Sequence, residues 1–227
     1  MLNNSNINTL DTSMIKSVFD SIYNNGKDVL IDYTEICIDD VLNNDVLKQM
    51  PIVKTVLAVA NVGLQLKEKH FIIEFYKFLL KLKKNDISSE LMCKHRKILS
   101  NNKKRFNKEM QVLSLFINEH KFDGQSERLA NIYTKLIEEK IDWELFVQLV
   151  DANNKILDAD IKILIDVRNK NNISNSKYYI VNKLVSLGLV YQSSNTYGSI
   201  EKPLEYFDVK NYDISILGKE FIDCIML

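Results

Sequence analysis

A chain of 227 residues with 46% hydrophobic and 26% charged side chains has an ordinary globular composition and enough length for a buried core, in one large or two small domains. Six Gly and two Pro favour long uninterrupted elements and argue against a turn-rich all-β fold. Thirty basic residues balance thirty acidic ones, so no global field points to nucleic acid or lipid, and any electrostatic reading must be local.

Lys outnumbers Arg 26 to 4, which removes most of the side chains suited to bidentate phosphate recognition. Cys37, Cys93 and Cys224 are far apart and form no CxxC pair. A disulfide framework or zinc knuckle is therefore not expected, and a reducing compartment fits. The start, MLNNSNINTLDTS, lacks a basic region followed by an apolar run. The expected location is the cytoplasm, with attachment to the inner face of the membrane as a variant of it.

In chain order, residues 1–12 are polar and read as a disordered lead-in. Ser13 is placed to cap a helix carrying Ile15, Val18, Phe19, Ile22 and Tyr23 on one face, stopped by Gly26. Residues 28–48 have helical spacings at Leu30, Tyr33, Cys37 and Val41, with enough β-branching to leave a strand open. That segment is acidic through Asp28, Asp32, Glu35, Asp39, Asp40 and Asp45.

The most apolar stretch, Met50 to Lys84, reads as a helical hairpin turning at Lys67-Glu68-Lys69-His70, with Pro51 opening its first helix. Lys54, Ala58, Asn61, Gln65 and Glu68 make one narrow stripe; Glu74, Lys77, Lys81 and Lys84 make another. A span is disfavoured: Met50–Leu66 rises roughly 25 Å against a ~30 Å hydrocarbon core, and Lys54, Asn61 and Gln65 add insertion cost. Core packing against the helices of 105–169 is the base-rate expectation, and an amphipathic hairpin lying in a membrane interface is the alternative.

From Lys77 to Lys108, eleven cations face only Asp86 and Glu90, a net of +9. Breaks fall at Asn85–Ser89 and Ser100–Asn102. Residues 105–169 read as four helices, the third capped by Asp142 with Ile141 and Phe146 as a hydrophobic staple, the fourth capped by Asp158. Then Ser176–Leu187 reads as a helix stopped by Gly188, Leu189–Tyr191 as a strand and Asn195–Gly198 as a turn. A strand over about Tyr206–Ile214 follows, and a last helix, Leu217–Ile225, is capped by Ser215. Helix, LVSLGLVY, hairpin and YDISILGKEFI resemble the layout of a winged helix-turn-helix over about the last 55 residues.

The chemistry-bearing candidates are few. Cys93-Lys94-His95 supplies only two metal ligands. His70 and His120 read as solvated or capping residues. No nucleophile elbow, HExxH or P-loop occurs. Asp151-Ala-Asn153 begins like a calcium loop but fails at Lys155, at Ile156 in place of Gly and at Lys162 in place of Glu. No catalytic, cofactor or metal residue is expected, and no small-molecule substrate. Lys94, Arg96, Lys97, Lys103, Lys104, Arg105 and Lys108 are the candidate contacts for anionic lipid or nucleic acid. From Ile173 onward five Lys meet six carboxylates, a net of −1, so the C-terminal module is poorly furnished for phosphate binding. Protein contact or self-association is the fitting use for it.

MPIVKTV…LKEKHFIIEFYKFL followed by RLANIYTKLIEEKIDWELF resembles a family of bacterial proteins linked with phages and antiphage loci. The layout ending in LGLV…YDISILGKEFI is similar to the abortive-infection alpha group. The resemblance implies a role in phage defence without an assigned catalytic residue. The expected fold is mainly α: a multi-helix body around the apolar hairpin 50–84, with a winged-helix-like α+β module. The expected divisions are 1–12, 13–100, 101–170 and 171–227. The expected function is a non-enzymatic interaction protein, the alternative a nucleic-acid-binding winged-helix regulator.

Overall fold

Apolar side chains at helical spacing dominate the chain, and it folds accordingly: mainly helical, with a small two-stranded antiparallel sheet near the C-terminus. The computed structural model describes residues 4–24, 45–59, 66–193 and 211–226. The expected Gly26 stop, nearly all of the acidic segment 28–45, the stripe residues Asn61 and Gln65, the turn 195–198 and the strand start at Tyr206 lie outside the described residues. The chain divides into two compact units, 1–138 and 139–227.

In the first unit, α1 (Asn4–Tyr23) begins well before Ser13, so the disordered lead-in is corrected to helix from Asn4. Ser13 is not a cap; its carbonyl accepts from Ser17 Oγ at 2.8 Å. Ile15, Val18, Phe19 and Ile22 are buried as their spacing predicts. The short α2 (Asp45–Lys48) leads into α3 (Pro51–Val59). Pro51 opens α3, and Ser21 Oγ of α1 accepts the Ile52 N–H at 3.1 Å, satisfying an orphan donor of the first turn.

The next helix, α4 (Leu66–Lys84), includes Lys67–His70, which the sequence reading assigned to a turn. The expected packing on the helices of 105–169 holds for α4, which packs chiefly against α7 (Gln125–Ile137), and is corrected for α3, which packs chiefly against α1. Phe71, Ile72, Phe75, Tyr76, Phe78, Leu79 and Leu82 of α4 are buried, each contributing ~1.5–3 kcal/mol by burial. No described helix is long and apolar enough to cross a membrane.

Helix α5 (Ser89–Asn101) is capped by Ser88, whose Oγ accepts the Leu91 N–H. One residue later, Asn102 caps α6 (Lys103–Glu119) through its side-chain oxygen on the Arg105 N–H. Contacts of α6 with α1 and α4 tie it into the same unit as the apolar helices. The expected division at 100/101 therefore does not separate bodies, because the core of α4 is completed by α6 and α7.

The second unit starts with α8 (Trp143–Lys155). Asp142 caps it as expected, accepting the Leu145 N–H at 2.8 Å, with Ile141 and Phe146 both buried. In α9 (Asp158–Asn169) the cap position belongs to Leu157, not Asp158; Asp160 reaches back to the Leu157 N–H at 2.8 Å. The division expected at 170/171 is likewise absent, since α9 packs on α10 (Tyr178–Ser186), which a short 3-10 turn at Asn175–Lys177 precedes.

After Gly188, at φ 71°, strand β1 (Val190–Gln192) pairs with β2 (Tyr212–Ile214) in the register Val190↔Ile214, Tyr191↔Asp213, Gln192↔Tyr212. Ser215 caps α11 (Ile216–Ile225), as its position predicts. Its hydroxyl accepts the Gly218 N–H at 2.9 Å and donates to the Gly188 carbonyl at 2.6 Å. Gly218 is required by space: a Cβ there would stand 2.1 Å from the Leu189 carbonyl oxygen.

Candidate functional site

Three groupings of polar chemistry stand out in the first unit, two buried and one on the surface. The first buried group centres on Glu109 of α6, which is fully enclosed. Its Oε1 accepts from His95 Nε2 of α5 at 2.7 Å and from the Tyr133 hydroxyl of α7 at 2.8 Å. Because Tyr133 spends its only proton on the carboxylate, the 2.8 Å contact between the two tyrosine hydroxyls has Tyr23 of α1 as donor. Arg105 Nε stands 3.6 Å from Glu109 Oε2, one helical turn earlier on the same helix. Four helices thus converge on one carboxylate.

Burial, and then the Glu109 charge, push both tyrosine hydroxyls well above the usual phenol range. Neither phenol is therefore poised to ionise as a base or nucleophile near neutrality. The rings pack as well as bond: Tyr23 stacks on His95 at 6.2 Å, and Tyr133 meets it edge-on at 6.1 Å.

The second buried group has the residue types of a hydrolytic triad but not its proton order. Ser126 Oγ donates to Glu74 Oε2 at 2.7 Å, so its 2.7 Å contact with His120 Nδ1 is one in which the imidazole donates. A general base must accept the serine proton, and here the ring faces the hydroxyl with its N–H. Ser126 is buried, 0% exposed. Around it, Lys77 Nζ bonds Glu74 Oε1 at 2.9 Å and reaches Asp123 at 3.5 Å, and His70 Nε2 meets the His120 carbonyl at 2.6 Å. Gln125 Oε1 takes the N–H groups of Lys121 and Phe122, closing the loop between α6 and α7. This group ties that loop to α4.

Glu74, expected on a solvated stripe, is buried, and so is His120, expected as solvated or capping. His120 does close α6, through its own backbone N–H to Ile117, while its ring points inward. Cys93 is exposed and His95 buried, so the two side chains of the weak metal candidate leave α5 in different directions. Among the described residues no group of three or more His, Cys, Asp or Glu is arranged to hold a metal. Asp151 and Asn153 lie within α8, and Lys155 pairs with Asp151 at 2.6 Å on the helix surface.

The surface group contains all seven cations singled out from the sequence. Lys94, Arg96 and Lys97 project from α5, and Lys103, Lys104 and Lys108 from α6; all six are exposed. Arg105 is half-buried and turned toward Glu109.

Glu74 and Tyr23 were read from the sequence only as a stripe residue and a helix-face residue, and Ser126, Glu109 and Tyr133 were not read as site residues. A signal existed for both carboxylates. Glu109 lies three residues after Phe106 and four before Leu113, and Glu74 three after Phe71 and four before Phe78. Each falls on the apolar line of its helix, where a charge demands a partner.

Comparison of the chain with protein-family models, with curated proteins and with solved structures gave no match.

Proposed function

We propose that this chain is a non-enzymatic interaction protein acting in phage–host conflict, and that residues 171–227 of its C-terminal unit are a winged-helix-like module used for protein contact. The observation that carries the contact surface is where apolar area remains exposed. Six of the ten large hydrophobic residues exposed among the described residues, Tyr178, Tyr179, Val185, Tyr191, Ile216 and Met226, lie in that unit; Leu57, Leu66, Leu115 and Phe122 lie in the first. Tyr179 is 69% exposed and Ile216 79%. The exposed apolar and aromatic side chains of this unit suit a protein partner or a second copy of the chain. Residues 139–227 carry ten cations against thirteen carboxylates, a net of −3, which disfavours a phosphate backbone as the ligand of this unit. The closed proton order at Ser126 supports a non-enzymatic reading, and the phage-conflict role rests on the sequence resemblance.

The test is sedimentation of the full chain over a range of concentrations, with chemical crosslinking in bacteria before and during phage infection. A specific assembly or crosslinked partner that disappears in the Tyr179→Lys/Ile216→Lys variant, at unchanged thermal stability, supports the reading. A monomer without any crosslink dependent on these residues rejects it. Phage plating unaffected by expression across a panel of phages removes the phage-conflict part.

A further inference from the structure

The cations of α5 and α6 meet at a corner of one residue, Asn102. At ~1.5 Å per residue, Lys94 is ~12 Å before that corner and Lys108 ~9 Å after it along their helices. Each arm is therefore about one Debye length long (~10 Å at 0.1 M salt), so charges close to the corner reinforce one another while the two ends are largely screened from each other. The exposed carboxylates of the two helices are Glu90 in the first turn of α5 and Glu119 at the end of α6, while Glu109 is buried and accepts from His95 and Tyr133.

Two features separate this surface from an ordinary solvated face. First, Lys103, Lys104 and Arg105 occupy the opening turn of α6, which holds no acidic residue. Cations there oppose the helix dipole and cost about 0.3–1 kcal/mol each, so local helix stability does not explain them. Second, Leu115, two turns beyond Lys108, is the sole large hydrophobic residue exposed on either helix. A helix seated in a membrane interface needs an apolar face to insert as well as cations. This corner offers charge without insertion.

We propose that the α5–α6 corner binds the phosphate backbone of duplex nucleic acid without reading its sequence, a partner beyond the protein contact assigned to the C-terminal unit. Lys94, Arg96, Lys97, Lys103, Lys104 and Lys108 supply the contacts. Five of the six are lysines, which act as point charges on phosphate and carry no base code. Arg105 is not a contact; it is held at the Glu109 cluster.

Fluorescence anisotropy of the full chain with a labelled random-sequence DNA duplex tests this, alongside flotation with vesicles of neutral and anionic phospholipid. Six phosphate contacts predict a slope of log affinity on log salt of about −5, which is about a thousandfold loss between 50 and 200 mM salt. The Lys97→Ala/Lys103→Ala/Lys104→Ala variant should make that slope shallower by about 2.7. It should fold at least as well, since two unfavourable helix-dipole charges are gone. Absence of duplex binding at low salt overturns the proposal. So does binding unchanged in the triple variant, or vesicle binding through these residues in place of duplex binding. The Tyr179→Lys/Ile216→Lys variant run in parallel should bind duplex as the wild type does. Loss of the protein-contact reading and loss of this one are therefore separate results.

Discussion

Replacing Glu109 by Leu removes the charge that four helices converge on while nearly keeping side-chain volume, so little of the effect arises from a cavity. Two donors, His95 Nε2 and the Tyr133 hydroxyl, lose their acceptor in a site where Glu109 is 0% and His95 2% exposed. Each stranded buried donor costs ~1–3 kcal/mol, and breaking a buried pair by deleting one partner typically costs ~3–5 kcal/mol. Arg105, half-buried, can turn to water and adds little. A loss of about 3–5 kcal/mol is expected. With a urea dependence of ~2 kcal/mol per molar, the midpoint seen by far-UV circular dichroism should fall by ~1.5–2.5 M. In Tyr133→Phe one stranded donor is already absent, so the double variant Glu109→Leu/Tyr133→Phe should lose less than the sum of the single losses. A coupling of ~1–2 kcal/mol is expected. A single-variant loss under ~1 kcal/mol, or strict additivity, would refute the reasoning that Glu109 organises this core.

In the second unit, Gly218→Ala places a methyl group 2.1 Å from the Leu189 carbonyl oxygen and must displace backbone. A loss above ~3 kcal/mol is expected from such overpacking, read from the fluorescence of Trp143, the single tryptophan, which lies in that unit. Tyr23 and Tyr133 are raised by burial first and the Glu109 charge second. Their protonated forms therefore favour the folded state: that contribution is whole below about pH 10, where unfolded tyrosine ionises, and is lost as pH climbs toward the folded values. Tyr23→Phe should flatten the decline in unfolding midpoint between about pH 9 and pH 11, and a variant with the wild-type slope would contradict this. Asp213 is lowered, first by its hydrogen bond from Lys170. Its contribution is present above about pH 4 and disappears as pH falls through the folded value. Asp213→Asn should weaken the acid sensitivity of the Trp143 signal, modestly because the pair is solvent-exposed. An unchanged acid limb would remove that pair from the account.

By itself, the sequence determined the helices of the described residues where apolar residues recur at three and four, and it located punctuation made by single residues. Asp142, Ser215 and Gly188 act through their own backbone neighbours, so spacing alone identifies them. The seven cations of α5 and α6 were equally legible, because a charge run needs no partner to be recognised. Two kinds of property were decided by tertiary structure. One is which helix completes which core: α3 and α4 are adjacent in sequence and similarly apolar, yet pack chiefly on α1 and α7 respectively. The other is which charges are interior. Glu74 and Glu109 look like members of charged runs, but Glu74 Oε2 accepts from Ser126, 52 positions away, and Glu109 Oε1 from Tyr133 and His95, 24 and 14 away. A linear pattern records what a residue is and which face it occupies; whether burial is tolerable depends on donors that only folding brings within hydrogen-bond reach.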